Sequence, residues 1–588
     1  MGNMLEDYDH LLNIDYKKPY LFPLAGPESL IHTEGRRRVK LDGVWNFSLD
    51  VYDTFLRKKF FEERYHDEEG RDIPVDCDFD QWETVTVPSC WNVQKEAYTY
   101  YEGTGVYTRR FQYHGDGTGR TFLRIGAANY ESSVWLNGEQ IARHEGGFTP
   151  YMVEVTGKLK RENRIVITVD NTRKLEQIPS INYDWFNYGG LFRSVELIGT
   201  PVRFIKHVFL YLVPDGQYDK ICLEAETDGF KAGELLKLEI PELGVAEEFP
   251  IGEDGRIKTV IAAKPRLWSC DDPYLYEIAA SAGEDRVTDR IGFRQIRTEG
   301  KHIFLNGERI FLKGVCCHEE SMERGRALTD EDRLQILRTA KDLGCNVMRL
   351  SHYPHHERMA QMADELGIML WEEIPVYWAL MFREEATYRA ASGQLRELIL
   401  RDRNRASVIL WGVGNENPDT DERLEFMSSL NKLAKELDPS RLTTAACLVN
   451  IDSMMVQDRL AEHVDVVAIN EYYGWYYRDY QGLGRIMEQT KLDRPLVISE
   501  TGADAAAGQF GDEEELFTEN HQSKMYRKQF ELSEGYVEGI FPWILFDFKS
   551  PVRMNPKQGG FNRKGLAAED KRYRKMAFET VREYFDGK

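Results

Sequence analysis

The chain has 588 residues, 42% of them apolar and 12% aromatic, enough for several large cores, and the length suits three or four domains. Its formal net charge of −22 argues against nucleic acid or an anionic membrane surface as a partner, although a local basic pocket for an anionic substrate is compatible with it. No run approaches the ~18 consecutive apolar residues of a membrane span.

The first residues, Met1 to Asp9, are acidic and lack an apolar core, so no secretory signal is expected. Glu6 stands where a myristoylation pattern needs Ser or Thr. The eight cysteines are scattered, without a CxxC or a zinc spacing. Free thiols in a reducing cytoplasm are the economical expectation.

Residues 1–200 read as all-β. Trp45–Phe47, Trp82–Pro88, Val106–Tyr113, Thr121–Ile125, Ser132–Leu136 and Ile165–Val169 are short alternating runs punctuated by Gly and Asn, as in a jelly-roll or other β-sandwich. Leu136-Asn-Gly-Glu139 predicts a tight hairpin, since Asn-Gly accepts the positive φ of a type I′ turn. The run from Asn182 to Arg193 is too aromatic for a free loop. Either it is simply packed, or its aromatics anchor a loop that carries Asp184 into a neighbouring sugar site. Residues 201–297 again show strands with regular turns, as an immunoglobulin-like sandwich would.

From residue 298 to 588 strands alternate with helical patterns, the grammar of βα units. Eight candidate strands, at 310–315, 346–351, 368–374, 408–413, 443–447, 466–470, 495–499 and 539–546, predict a (β/α)8 TIM barrel. One helix shows the logic: Thr329 and Asp332 form a capping-box pattern, apolar residues follow at helical spacing, and Gly344 stops the run.

The run from Val408 to Pro418 organises this region. An apolar strand ends in Gly412-Val-Gly414, where the backbone is expected to need freedom, and then presents Asn415 and Glu416. Pro495 to Gly502 repeats the build and delivers Glu500. Barrels keep their chemistry at the C-terminal ends of their strands. These acids fall on the fourth and seventh strands. Either Glu alone could be a solvated residue after a strand. Together they suit glycoside hydrolysis, where one carboxyl protonates the leaving oxygen and the other attacks the anomeric carbon or activates water.

Other strand ends carry suitable sugar ligands: His318 after the first, His352 after the second, Asn470, Tyr472 and Tyr476 after the sixth, and Trp543 in the eighth. The histidines have no metal-ligand spacing, so hydroxyl binding is the better reading and no metal is expected. Gly559-Gly-Phe-Asn-Arg-Lys564 is either a solvated turn or a loop whose cations and amide hold a carboxylate.

These features resemble glycoside hydrolase family 2, and within it the microbial β-glucuronidases. The resemblance rests on Gly292-Phe-Arg294, Phe304 to Gly307, Lys313-Gly314, His318-Glu319, Ser351 to Pro354, Asn415-Glu416, Asn470 to Tyr476 and Ser499 to Gly502, and it covers nearly the whole chain. It implies a sugar-binding jelly-roll, an immunoglobulin-like sandwich and a catalytic barrel. It implies Glu416 as acid/base and Glu500 as nucleophile of a retaining mechanism. Asn562 and Lys564 fall on the Asn-x-Lys element that holds the uronic carboxylate. Asp184, His352, Asn415, Tyr472, Tyr476 and Trp543 fall on other sugar-site positions.

Three departures stand out. Asn417 is inserted into the usual Asn-Glu-Pro, the usual Arg-His-Glu-Asp run reads Cys317-His-Glu-Glu320, and Gln558 stands where some relatives place an arginine four residues before this Asn. The last leaves discrimination at the sugar C4 open. The short interval from Glu373 to Glu416 implies a more open site. The expected function is a retaining exo-β-glucuronidase without cofactor, acting on small-molecule or oligosaccharide glucuronides, cytoplasmic and homo-oligomeric, with neither nucleic acid nor membrane as partner. The alternatives are a β-galacturonidase or β-galactosidase of the same family, and a non-catalytic carbohydrate-binding protein, against which the presence of both acids argues.

Overall fold

The computed structural model describes residues 23–62, 69–71, 76–115 and 117–588. The chain start, on which the signal and myristoylation readings rest, lies outside them. The chain divides into two compact units.

The first unit comprises the described parts of residues 1–29, 37–172 and 187–200. It holds two antiparallel sheets. One has six strands in the order Glu83–Val87, Gly43–Leu49, Thr104–Gln112, Glu162–Asp170, Glu131–Leu136 and Glu139–Glu145. The other orders Arg37–Lys40, Val195–Thr200, Arg120–Ile125 and Tyr151–Glu154. Period-2 alternation puts one face of each strand inward. Phe47, Tyr107 and Ile167 of the first sheet share a core with Leu123, Ile125 and Leu197 of the second. Asn137 and Gly138, at φ of 54° and 84°, close the predicted two-residue hairpin.

The second unit comprises residues 30–36, 173–186 and 201–588. The aromatic run is therefore divided: Asp184, Trp185 and Phe186 group with the barrel, while Asn187 onward returns to the first unit. Seven antiparallel strands between Phe204 and Ile291 form a three-stranded and a four-stranded sheet around Leu210, Leu223, Leu236, Ile278 and Val287.

The barrel is a closed ring of eight parallel strands. Its first strand is split. Leu312–Lys313 pairs with Gly539–Pro542, and Cys316–Cys317 pairs with Val347–Leu350, which closes the ring. Gly314 lies at this seam, where an added Cβ would come within 2.2 Å of the Phe541 ring. The remaining strands are Met369–Glu373, Val408–Asn415, Leu442–Cys447, Val466–Asn470 and Leu496–Thr501. Their residues are almost all buried, as expected of parallel strands covered on both faces.

The helix Asp330–Asp342 carries the predicted capping box, with both reciprocal bonds between Thr329 and Asp332. One expected helix does not form. Between the fifth and sixth strands the chain makes a small hairpin, Val449–Asn450 with Met455–Val456, and a 3-10 turn at Arg459–Glu462. The Asn450 side chain accepts from the amides of Asp452 and Ser453, so the local polar residues fold the tip into a turn instead.

The reason for Gly412 and Gly414 also differs from the expectation. Neither has a positive φ. A Cβ at Gly412 would lie 2.5 Å from the Trp371 indole nitrogen, and one at Gly414 2.3 Å from the Met427 methyl carbon. Space is what these positions lack. The left-handed residue is Glu416 itself, at φ 51°. No described helix is long and apolar enough to cross a membrane.

Candidate active site

Glu500, buried near the end of the seventh strand, is held from two sides. Arg349 donates to Oε1 at 2.8 Å and the Tyr472 hydroxyl donates to Oε2 at 2.7 Å. Arg349 is itself fully buried, on the second strand. It forks onto Glu373 at 3.0 and 3.1 Å and donates to Asn415 Oδ1 at 2.8 Å. One guanidinium thus ties together the ends of the second, third, fourth and seventh strands. Burial pushes the Glu500 carboxyl up to about 8, with Arg349 pulling it down and the Glu416 charge pushing it up. Burial also works against the Glu373 charge, but Arg349 and His352 hold that carboxyl below its usual range. His352 donates from Nδ1 to the ionised Glu373 at 2.7 Å, and burial brings the imidazole down to about 4, so it is neutral at physiological pH. Its ring stacks on Trp543 at 4.9 Å.

Glu416 leaves the fourth strand in the left-handed region, which costs a non-glycine residue ~1–3 kcal/mol and clusters at functional positions. Its Oε2 accepts from the Trp378 indole N–H at 2.8 Å. Beside it a relay of amides runs inward: Ser499 donates to Asn470 at 2.7 Å, and Asn470 donates to Asn415 Oδ1 at 3.2 Å. Asn415 Nδ2 has no hydrogen-bond partner among the described residues. Glu471, the next residue after the sixth strand, is also buried. Burial, then the Glu416 charge, pushes its carboxyl up to about 8.

Cations gather around Lys564. Lys564 is buried and lies 2.7 Å from Asp504, which offsets burial and holds the ammonium above its usual range. Asp504 in turn accepts from Gln558 at 3.0 Å and the Arg563 amide at 2.8 Å. Arg553 pairs with Asp184, its Nε donating at 3.1 Å, and Asn562 donates to the same carboxylate at 3.3 Å. The Tyr476 hydroxyl oxygen accepts from both Arg553 and Lys564 at 3.2 Å. A cavity of about 590 Å³ joins these groups: Glu416 and Glu500 line it together with Asp184, Tyr476, Arg553, Asn562 and Lys564. The hairpin after the fifth strand adds an apolar wall of Leu448, Val449 and Ile451.

Residues 39–201 match the family description "Glycosyl hydrolases family 2, sugar binding domain", residues 237–294 "Glycosyl hydrolases family 2", and residues 296–587 "Glycosyl hydrolases family 2, TIM barrel domain". The β-glucuronidase of Bacteroides fragilis is 30% identical over 555 residues, covering 84% of this chain and 77% of that relative. The chain belongs to glycoside hydrolase family 2. It is a glycoside hydrolase. Among solved structures it is similar to a β-glucuronidase from an uncultured Clostridium sp., with a TM-score of 0.83, 26% identity, and 97% and 100% of the two chains covered. It is also similar to a family 2 β-galacturonidase from Eisenbergiella tayi bound to glycerol, with a TM-score of 0.80, 25% identity, and 95% and 97% covered.

Within this family 2 hydrolase the structure brings Asp184, Glu416, Asn470, Tyr472, Tyr476, Glu500, Trp543, Asn562 and Lys564 to one cavity. His318, His352 and Asn415 stand behind its wall rather than on it. His318 bonds the Tyr353 hydroxyl at 3.0 Å through Nδ1 and packs edge-on against Trp543, and its buried Nε2 has no hydrogen-bond partner among the described residues. Four residues escaped the sequence reading. Arg349 was findable, as a lone charge inside the apolar run Val347-Met-Arg-Leu350 that needs buried partners. Arg553 and Asp504 lie in loops without a distinctive spacing. Trp378 sits in a segment with no periodicity to flag it. Among the described residues no cluster of His, Cys, Asp and Glu is arranged to hold a metal, and none of the eight cysteines forms a disulfide.

Proposed function

We propose that the protein is a retaining exo-β-glucuronidase in which Glu500 is the nucleophile and Glu416 the acid/base. The observation that carries this reading is the joining of two strand-end carboxyls and a cation cluster around Lys564 in one cavity. Glu500 attacks the anomeric carbon while Glu416 delivers its proton to the glycosidic oxygen, the C–O bond breaks, and the aglycone leaves. Glu416 then takes a proton from water as that water attacks the glycosyl–Glu500 ester, releasing the sugar with its anomeric configuration retained. Arg349 and Tyr472 supply the hydrogen bonds that keep Glu500 oriented and favour its ionised form. Lys564 and Asn562 hold the sugar carboxylate, Arg553 lends a second positive charge nearby, and Asp184 takes a sugar hydroxyl.

The names of the similar proteins, β-glucuronidases in Bacteroides and Clostridium, support the substrate class. A β-galacturonidase is the second reading, favoured by Gln558 at the position where some members of the family place an arginine and by the likeness to the Eisenbergiella enzyme. Three domains, at 1–200, 201–297 and 298–588, with the chemistry confined to the third apart from the Asp184 loop, complete the proposal. So do a cytoplasmic location, for which eight cysteines without a disulfide speak, and a homo-oligomeric state.

The experiment is a side-by-side assay of nitrophenyl β-glucuronide, β-galacturonide, β-galactoside and β-glucoside, with the product anomer followed by NMR. The glucuronide is expected to give the highest kcat/KM, and the first-formed product is the β-anomer. A preference for either neutral sugar, or an α-anomer formed first, overturns the proposal.

A further inference from the structure

The inserted Asn417 and the unflagged Trp378 meet at one place. Asn417 is buried, and its Nδ2 donates to the Trp378 carbonyl at 2.7 Å. Its own carbonyl is gripped by Arg423 at 2.9 and 3.3 Å, and Arg423 is paired with the buried Asp458. Trp378 is held from its other side too, since its amide donates to the Asn415 carbonyl at 3.0 Å. Between these anchors Trp378 adopts φ 53°, a left-handed conformation that a bulky aromatic residue rarely takes and that persists only when its surroundings impose it. The result of that strain is visible: the indole N–H lands 2.8 Å from Glu416 Oε2, and the half-buried ring lines the cavity.

From this we infer that Asn417 and Trp378 are positioning residues for Glu416: the extra asparagine clamps the Trp378 backbone so that the indole N–H fixes the orientation of the acid/base carboxyl. The inference rests on Glu416 being the acid/base, as proposed above. The two carboxyls are then held by different means. Glu500 is held by a cation, Arg349, which favours a charged nucleophile. Glu416 is held by a neutral donor, which orients one oxygen without placing a full positive charge against a group that must gain and lose a proton in each cycle. The indole also occupies only one carboxyl oxygen, leaving the other to face the leaving group.

A residue that aims a proton donor matters most where the leaving group needs the proton. Trp378→Phe keeps a ring and removes the N–H, while Asn417→Ala removes the clamp. Each is assayed with a series of β-glucuronides from dinitrophenyl, which departs unaided, to phenyl and alkyl, which do not. Trp378→Phe is expected to lower kcat/KM on the phenyl and alkyl glucuronides by about ten- to a hundredfold, the size of one lost hydrogen bond to a charged group, and to leave the dinitrophenyl substrate within about threefold of wild type. Asn417→Ala should show the same slope against leaving-group acidity, and the double variant should be no worse than Trp378→Phe alone, because both act through one contact. Glu416→Gln is the benchmark and should show the same selectivity more steeply. If Glu416→Gln is itself unselective, the acid/base assignment fails. If Glu416→Gln is selective but Trp378→Phe lowers all substrates by one factor, or none, the positioning role is wrong. Should Asn417→Ala fail to fold, the Trp378→Phe slope decides alone.

Discussion

Lys564 keeps its charge at 1% exposure because Asp504 lies 2.7 Å away. A carboxylate bonded to such an ammonium gains roughly 1.5–3 kcal/mol, against about 1 for a neutral pair. Lys564→Ala should therefore lower kcat/KM on a glucuronide by on the order of ten- to a hundredfold and leave any weak activity on the matching neutral glucoside nearly unchanged. The ratio of the two values in mutant and wild type is the measurement. An equal fall in both would make the loop structural. Arg349 calls for a different test, because its loss leaves Glu373 and Glu500 buried without their cation. Arg349→Met should cost about 3–5 kcal/mol in urea unfolding as well as activity, while the same change at the exposed Arg71 should cost next to nothing. At this scale the sequence was legible where a residue followed a recognisable strand, as Glu416, Glu500 and Asn470 do. It was mute where a partner came from a distant loop: nothing in the spacing ties Asp504 to Lys564 or Asp184 to Arg553, because those pairs exist only once the barrel closes.

Among the elements, the barrel strands could be read because parallel strands buried on both faces need unbroken apolar runs, and such runs stand out between helical patterns. The breaks in that pattern were harder. The first strand was expected at 310–315, but Glu308–Ile310 pairs in a separate three-stranded sheet and the barrel strand is cut in two at Gly314. That interruption is steric, set by the Phe541 ring, and no local sequence feature reports a neighbour more than two hundred residues away. Gly314→Ala makes this testable. A Cβ at 2.2 Å from a buried ring must push the first and eighth strands apart, and overpacking of this kind costs typically 1–3 kcal/mol. The melting temperature should fall, whereas Gly393→Ala, in a helix with open space around it, should leave it unchanged or raise it slightly. Equal effects at both positions would mean that the seam has slack. The missing fifth helix follows the same rule from the other side: a polar turn at Asn450 to Ser453 outweighs the expectation that every strand of a barrel is followed by a helix.

Over the whole molecule, the buried acids fall into two sets that pull stability in opposite directions with pH. Glu373, Asp438 and Asp504 are held below their usual range, against burial, by Arg349, Arg441 and Lys564. Each is ionised in the native state where the unfolded chain would bind a proton, so it contributes stability that is present above about pH 4 and lost as pH falls. Glu471 is pushed by burial up to about 8, and Asp364 and Asp547 up to about 6. Their native forms keep a proton that the unfolded chain releases near 4, so stability falls as pH rises from about 4 to 8. The net charge of −22 adds self-repulsion on the alkaline side. His207, His318 and His352, which burial holds neutral, add a loss of stability as pH falls below about 6.5, so the maximum is expected between the two limbs, near pH 6. Glu471 is the position at which to test the alkaline limb, since Glu471→Gln keeps the shape and removes the titration without touching either proposed catalytic acid. At pH 5.5 the variant should melt close to wild type. At pH 8.5 it should melt several degrees higher, because only the wild type must then either bury a carboxylate or hold a proton against the solvent. A difference between the two proteins that is the same at both pH values would show that Glu471 does not titrate in this window, and the alkaline limb would then belong to other buried acids such as Asp364 and Asp547.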